Sequence, residues 1–405
     1  MKCGLLGRTL GHSYSPAIHA LLGNYDYALY EKEPDELEDF LLHGDFTGLN
    51  VTIPYKKAVV PYCARLSPTA QLLGSVNTIL RLPDGTLYGD NTDYDGFLSL
   101  VRQSGADVQG KKALVLGSGG ASVTVQAVLR ALGAEVVVIS RSGEDNYANL
   151  SRHADAKIIA NTTPVGMYPH NGESPLDLAA FPACEAVYDI IYNPERTALM
   201  LQAEALGIPA FGGLHMLAAQ AKRASEIWQN TAIPDSETVR IEALLRADMR
   251  SIVLIGMPGC GKSTVAAALG AALSRQVCDS DALIEELAGM PIPQIFATQG
   301  EDAFRAYETQ AIAQLGKRSG IILATGGGCV TREENYPLLH QNSAIFWLKR
   351  DISQLPTDGR PLSQSGKLEA MYEVRRPLYA RFADHVIDNN GPLEDAVNAI
   401  KEALL

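Results

Sequence analysis

Positive charge is scarce in this chain. Its 405 residues carry 34 lysines and arginines against 46 aspartates and glutamates, a formal net charge of −12. No basic stripe runs along any segment. A nucleic-acid surface has to neutralise phosphates with clustered lysine and arginine, so no nucleic-acid partner is expected. Cysteine is sparse as well: the six, Cys3, Cys63, Cys184, Cys260, Cys278 and Cys329, are scattered without C-x-x-C spacing. That argues against a disulfide framework or a zinc site and fits a reducing cytosol. No apolar run approaches the ~20 residues that span a bilayer, and nothing at the start resembles a signal peptide, so no membrane partner is expected. Internal repeats and low-complexity segments are missing too. What remains reads as a cytoplasmic globular chain, 46% hydrophobic and 20% charged, long enough for two or three domains that each bury a core. Small molecules are its expected partners, and these totals fix no oligomeric state.

The most legible stretch is Gly256-Met257-Pro258-Gly259-Cys260-Gly261-Lys262-Ser263-Thr264, which follows the apolar run Ile252-Val253-Leu254-Ile255 and opens an alanine-rich helical pattern. It matches G-x-x-x-x-G-K-[ST] in the order strand, glycine turn, helix. Glycines such as Gly259 and Gly261 let backbone N–H groups close around a polyphosphate, while Lys262 reaches the outer phosphates and Ser263 holds Mg²⁺. Thr264 extends the same turn. Cys260 sits near a helix N-terminus that would lower its pKa, although a small filler residue is the plainer reading. A P-loop domain begins with this strand, so the residues before Arg250 are expected to form a separate globular unit.

That first unit reads as short strands alternating with helices. In Gly11-His12-Ser13-Tyr14-Ser15-Pro16, Ser15 is placed to cap a helix with Pro16 at its first position, or both Ser13 and Ser15 face a cleft and hold a polyhydroxylated or carboxylated molecule. Gly48-Leu49-Asn50-Val51-Thr52-Ile53-Pro54-Tyr55-Lys56 is a strand that ends at proline and delivers a lysine, by itself an ordinary surface charge. Gly74-Ser75-Val76-Asn77-Thr78 and Gly89-Asp90-Asn91-Thr92-Asp93 place Asn-Thr pairs at strand and turn edges. Spacing alone does not join Lys56 to Asp93. Residues 110–142 form a βαβ unit: strand Lys112–Leu116, the turn Gly117-Ser118-Gly119-Gly120-Ala121-Ser122, helix Val123–Leu132 and strand Ala134–Ile139. This is a variant dinucleotide fingerprint whose helix start faces a pyrophosphate. Ser140-Arg141-Ser142 stands where an acidic residue would hold an NAD ribose, and an arginine there suits the 2′-phosphate of NADP(H).

Asn161-Thr162-Thr163-Pro164-Val165-Gly166-Met167, Tyr192-Asn193-Pro194 and Gly213-Leu214-His215-Met216-Leu217 with Gln220 complete an ordered set. With Ser13 and Ser15, N-V-T-x-P-x-K, S-V-N-T, N-T-D and G-x-G-G, this set resembles shikimate dehydrogenases over nearly all of residues 1–247. The resemblance implies a two-lobed enzyme that reduces 3-dehydroshikimate with NADPH. Residues 1–100 and about 214–247 would form the substrate lobe and 101–213 the Rossmann lobe. It implies that Lys56 and Asp93 are the catalytic pair, with Ser13, Ser15, Thr52, Asn77, Tyr192 and Gln220 on the substrate. Gly117, Gly119, Gly120, Ala121, Arg141, Ser142 and Met216 would be on the cofactor. Hydride delivered to a ketone leaves charge on oxygen, and an ammonium held by a carboxylate can donate a proton there.

Beyond a linker at 248–250, residues 251–405 carry further motifs. In Asp279-Ser280-Asp281, two carboxylates serve metal and substrate separately, or one caps a helix. Gly300-Glu301-Asp302-Ala303-Phe304-Arg305-Ala306-Tyr307-Glu308 puts Arg305 and Glu308 on one helical face, a surface ion pair on the plain reading. Gly326-Gly327-Gly328, Arg360-Pro361-Leu362 and Arg375-Arg376-Pro377-Leu378-Tyr379 follow. The order resembles the shikimate kinase family, which implies an ATP-dependent phosphotransferase acting on shikimate. The resemblance gives Lys262 and Ser263 to phosphates and Mg²⁺, Asp279 to the metal, Asp281 to the substrate hydroxyl and Arg360 to a lid over the transferring phosphoryl group. Arg305, Arg375 and Gly326 to Gly328 would hold the ring and carboxylate. The stretch from Arg360 to Arg375 is shorter than that family's lid, and Ser353 to Gly359 lacks the arginine that lies against adenine there. The expected whole is an α/β protein: a two-lobed dehydrogenase with a Rossmann NADP-binding lobe, then a P-loop kinase domain with a parallel sheet flanked by helices. The rivals are a dehydrogenase preferring quinate joined to a kinase half of altered specificity, and a metabolite-binding regulator.

Overall fold

Leu114-Val115-Leu116 and Ile252-Val253-Leu254-Ile255 are apolar at every position rather than every second one, the pattern of strands covered on both faces. In the computed structural model, which describes residues 1–11, 13–355 and 367–404, these segments are indeed central strands with essentially no exposed surface. The chain divides into two units. The first comprises Met1–Val165, Ser174–Tyr192 and Gln202–Leu245, and the second Gly166–Glu173, Asn193–Leu201 and Arg246–Leu405.

The first unit holds two sheets. One is built from β1 (Lys2–Gly7), β2 (Asp26–Glu31), β3 (Gly48–Val51), β4 (Cys63–Leu66), β5 (Thr78–Arg81) and β6 (Leu87–Asp90), in the order β2-β1-β3-β5-β6-β4. Here β1 and β3 run parallel, whereas β5 is antiparallel to both β3 and β6. The C-terminal ends of β1, β3 and β6 and the N-terminal end of β5 therefore share one edge. The other sheet is wholly parallel: β7 (Lys112–Leu116), β8 (Glu135–Ile139), β9 (Ile158–Asn161), β10 (Ala186–Asp189) and β11 (Ala210–Gly212), in the order β11-β10-β9-β7-β8. Order reverses beside β7, the switch point at which open α/β sheets take ligands. Helix Leu214–Gln229 packs back onto the first sheet, where the Trp228 indole donates to the Ile79 carbonyl at 3.0 Å.

The second unit has one parallel sheet: β12 (Ser251–Ile255), β13 (Val277–Asp279), β14 (Ile322–Ala324), β15 (Ser343–Lys349) and β16 (His385–Asp388), in the order β13-β14-β12-β15-β16. The apolar faces of helices Lys262–Leu273 and Leu393–Ala403 supply Val265, Leu269, Val397 and Ile400 to the core around it. Within this unit Arg250 holds the Glu195 carboxylate with Nε at 2.9 Å, and Arg196 Nη1 donates to the His340 carbonyl at 2.8 Å. Helix Asp235–Met249 runs to within one residue of β12, so residues 248 and 249, expected as linker, are helical.

Candidate active sites

The shared edge of the first sheet gathers residues far apart in sequence. Ser13 and Ser15 follow β1, Thr52 and Lys56 follow β3, Asn77 precedes β5 and Asp93 follows β6. Lys56 Nζ donates to Asp93 Oδ2 at 2.6 Å, across 37 residues of chain. Asn77 Nδ2 donates to Asp93 Oδ1 at 2.9 Å and to Gln220 Oε1 at 3.2 Å, while its Oδ1 accepts the Thr92 N–H at 2.7 Å. Asp93 opens helix Asp93–Ser104. The Lys56 and Asp93 side chains keep 31% and 15% of their surface exposed, so the pair can be reached from solvent. An ammonium fixed in this way can protonate an oxygen as charge builds on it.

Ser15 does not cap its helix. It is the first helical residue of Ser15–Leu22, Tyr14 occupies the N-cap position, and Ser13 Oγ accepts the Ser15 N–H at 3.2 Å. The Ser-Pro signature misplaces the start because Tyr14 is already in the helical region (φ −80°, ψ −10°), one residue earlier. Tyr14, which no motif singles out, meets Tyr192 edge-on at 6.1 Å between ring centroids. Burial pushes the Tyr192 phenol above its usual pKa, which keeps it a neutral hydrogen-bond donor.

At the β7 switch point Gly117 has φ +106°, and a Cβ there would crowd Thr162 Oγ1 and Thr163 Cγ2, each at 3.0 Å. A Cβ on Gly119 or Gly120 would meet nothing within 4 Å. The helix Gly120–Ala131 carries no acidic residue in its first turn, so its N–H groups offer an unopposed positive end to an anion. Ala121 lies in that turn, and Arg141 and Ser142 stand exposed directly after β8. These groups fit a dinucleotide with a 2′-phosphate. Met216 is 9% exposed and belongs to the cluster around Phe97 and Tyr188.

The P-loop lines a cavity of about 480 Å³ together with Asp279, Asp281, Arg305, Glu308, Gly326, Gly327, Gly328 and Arg375. Positive φ at Gly256, Gly259 and Gly261 (143°, 83° and 98°) lets the loop curl, and Lys262 Nζ rests on the Gly256 and Met257 carbonyls at 2.9 and 3.0 Å. Cys260, 1% exposed, fills space beneath it. Asp279 does two things: Oδ1 accepts the Asp281 N–H at 2.8 Å, capping helix Ser280–Ala288, while Oδ2 stands 3.5 Å from Ser263 Oγ. Hydroxyl and carboxylate are hard oxygen donors. Among the described residues no group of three His, Cys, Asp or Glu side chains is set to hold a metal. Such a pair of oxygen donors suits Mg²⁺, which keeps waters and phosphate oxygens in its shell.

Burial, reinforced by Asp279 and opposed by Lys262, raises the pKa of Asp281. The Arg305–Glu308 pair is no surface decoration: it closes at 2.8 Å with side chains 9% and 0% exposed. Burial also raises the pKa of Glu308, against the pull of Arg305, and its Oε1 has no hydrogen-bond partner among the described residues. A Cβ on Gly328 would fall 2.1 Å from Arg305 Nη1, so glycine there makes room for the guanidinium. Arg375 Nη1 and the Tyr379 hydroxyl both donate to the Gly327 carbonyl, the former at 3.0 Å. Ile292, Phe296 and Phe304 add an apolar wall that motif spacing did not announce. Arg360, expected on a lid, lies outside the described residues, as do residues 356–359 and 361–366.

Comparison with known proteins finds a different family in each half of the chain. Residues 258–405 match the family model for shikimate kinase, and residues 5–79 match that for the shikimate dehydrogenase substrate binding domain. The shikimate dehydrogenase (NADP(+)) of Oleidesulfovibrio alaskensis is 38% identical over 255 residues, spanning 57% of this chain and 90% of that protein. Among solved structures, a chorismate mutase/shikimate 5-dehydrogenase fusion protein from Clostridium acetobutylicum superposes with a TM-score of 0.57 at 34% identity, covering 60% of this chain and 96% of that one. Shikimate 5-dehydrogenase from Thermus thermophilus, in complex with NADP(H) and shikimate, gives 0.55 at 32%, covering 60% and 98%.

Proposed function

The chain belongs to the shikimate dehydrogenase family and carries a shikimate kinase domain behind it, which makes it a bifunctional oxidoreductase and phosphotransferase of the shikimate pathway, and we propose how its residues divide the work. Residues 1–247 reduce 3-dehydroshikimate to shikimate, and residues 251–405 phosphorylate the 3-hydroxyl of shikimate. NADPH, when bound at Gly117, Gly119, Gly120, Ala121, Arg141, Ser142 and Met216, supplies a hydride. Lys56 donates a proton to the ketone oxygen, and Asp93, held by Asn77, keeps that ammonium aimed. Ser13, Ser15, Thr52, Tyr192 and Gln220 hold the ring hydroxyls and carboxylate.

In the second site ATP supplies the phosphoryl group, with Lys262 on its outer phosphates and Ser263 and Asp279 holding Mg²⁺ through oxygen and water. Asp281 orients the attacking hydroxyl and accepts its proton. Arg305 and Arg375 grip the carboxylate against the Gly326 to Gly328 turn. We place the protein in the cytoplasm; its six free cysteines suit a reducing compartment, and among the described residues no helix is long and apolar enough to cross a membrane.

One observation carries the reading: the product that the first family match implies is the substrate that the second requires. A coupled assay with 3-dehydroshikimate, NADPH and Mg·ATP tests it. NADPH loss followed by shikimate-dependent ADP release is expected; either signal missing from the intact chain overturns the bifunctional account. Quinate in place of shikimate and a non-catalytic regulator are the disfavoured alternatives, and the same assay, run in reverse with each acid and NADP⁺, separates them.

A further inference from the structure

We infer that Arg350, at the C-terminal end of β15, contacts the nucleoside part of the triphosphate and governs how tightly the P-loop pocket holds it. This rests on reading that pocket as the ATP site.

The strand order sets the direction in which a triphosphate lies. The P-loop follows the central strand β12. The groups assigned to metal and acid substrate come from one side of it: Asp279 ends β13, Asp281 comes just after it, and Gly326 to Gly328 follow β14. A triphosphate whose reacting end points toward Asp281 must carry its nucleoside toward the other side, where β15 and β16 end. Two side chains that come close to the P-loop from there are Arg350 and Asn389. A Cβ built on Gly261 would lie 2.9 Å from Asn389 Nδ2 and 3.8 Å from Arg350 Nη1.

The two side chains differ in what they already hold. Asn389 Nδ2 is committed to the Cys260 carbonyl at 2.7 Å and so braces the loop. Arg350 Nε is buried with no hydrogen-bond partner among the described residues. An unsatisfied buried donor next to a phosphate loop calls for an acceptor, and a ligand can bring one. A guanidinium is also flat and weakly hydrated, so it can lie on the face of a base while its in-plane N–H groups reach ribose oxygens. Nothing in the proton and phosphoryl chemistry above uses Arg350.

The test compares two probes, ADP and inorganic tripolyphosphate, each binding with Mg²⁺ to the full-length protein followed by calorimetry. In Arg350→Ala we expect ADP to bind about tenfold more weakly and tripolyphosphate to bind as before, with the KM for ATP rising about tenfold and the KM for shikimate unchanged. Arg350→Lys, which keeps the charge but not the flat face, should fall between. Unchanged reduction of 3-dehydroshikimate and an unchanged melting curve report that the variants fold. Equal losses for both probes would put the contact on phosphate and overturn the inference, as would no loss for either. A wild-type protein that binds neither probe overturns the ATP-site reading and this inference with it.

Discussion

The two sites of this chain meet their electrostatic demands in opposite ways. In the first unit the charges proposed for catalysis are few and partly exposed, and a neutral amide organises them: Asn77 ties Asp93, Gln220 and the Thr92 backbone into one network beside Lys56. In the second, ions are packed against one another and buried, with Asp281 and Glu308 both pushed toward the protonated form by desolvation. Proton delivery to a single oxygen needs one aimed donor with access to its substrate. Phosphoryl transfer needs a preorganised field around several charged oxygens, and dry surroundings strengthen that field.

The sharpest way to break the comparison is Lys56→Ala. Reduction should drop roughly 10²–10⁴-fold while ATP-dependent phosphorylation of added shikimate stays constant. Steady-state NADPH oxidation and ADP release on the same preparation check both, and a parallel fall in the two would sink the assignment of Lys56 to one site. Next in size is Gly328→Ala, whose methyl group would evict the Arg305 guanidinium from its place beside Glu308. Losing a charge-assisted contact worth about 1.5–3 kcal/mol should raise the KM for shikimate about 10- to 100-fold in the kinase assay alone. An unchanged KM would mean that Arg305 does not touch the acid.

Arg141→Ala probes the cofactor and should cost about tenfold in the KM for NADPH with little effect on NADH. Equal changes for the two would remove the 2′-phosphate contact. The smallest effect is a pH shift. Because Asp281 is raised by burial and then by Asp279, the acid limb of phosphorylation should lie above the ~3.9 of an ordinary aspartate. Activity is full above that raised value and lost as pH falls through it. Asp279→Asn removes the like charge and should move the limb to lower pH. The stability sign is opposite: folding binds extra protons at Asp281 and Glu308, so the second unit loses some stability as pH rises from the ordinary carboxylate range through their raised values. Urea midpoints against pH test this.

Much of this was legible in the sequence, for identifiable reasons. Glycine turns between an apolar run and a helix signal are local patterns, so β7 with its fingerprint and β12 with the P-loop could be read directly. The Lys56–Asp93 contact could not, because it depends on two antiparallel pairings that fold the 36 intervening residues back to one edge. Resemblance joined that pair; spacing did not. The surface reading of Arg305 and Glu308 failed for a related reason: a three-residue interval fixes a helical face but not what covers it. Ser15 shows the limit at the scale of single residues, since one backbone angle at Tyr14 decided which hydroxyl met the helix start.

Asp279 is a single side chain with two employers, its Oδ1 serving the backbone of Asp281 and its Oδ2 facing Ser263. An asparagine would keep an oxygen for the first and surrender the negative charge that the second relies on. Thermal melting would scarcely register the exchange while magnesium dependence would, so a survey of this protein by heat alone would pass over one of its most consequential positions.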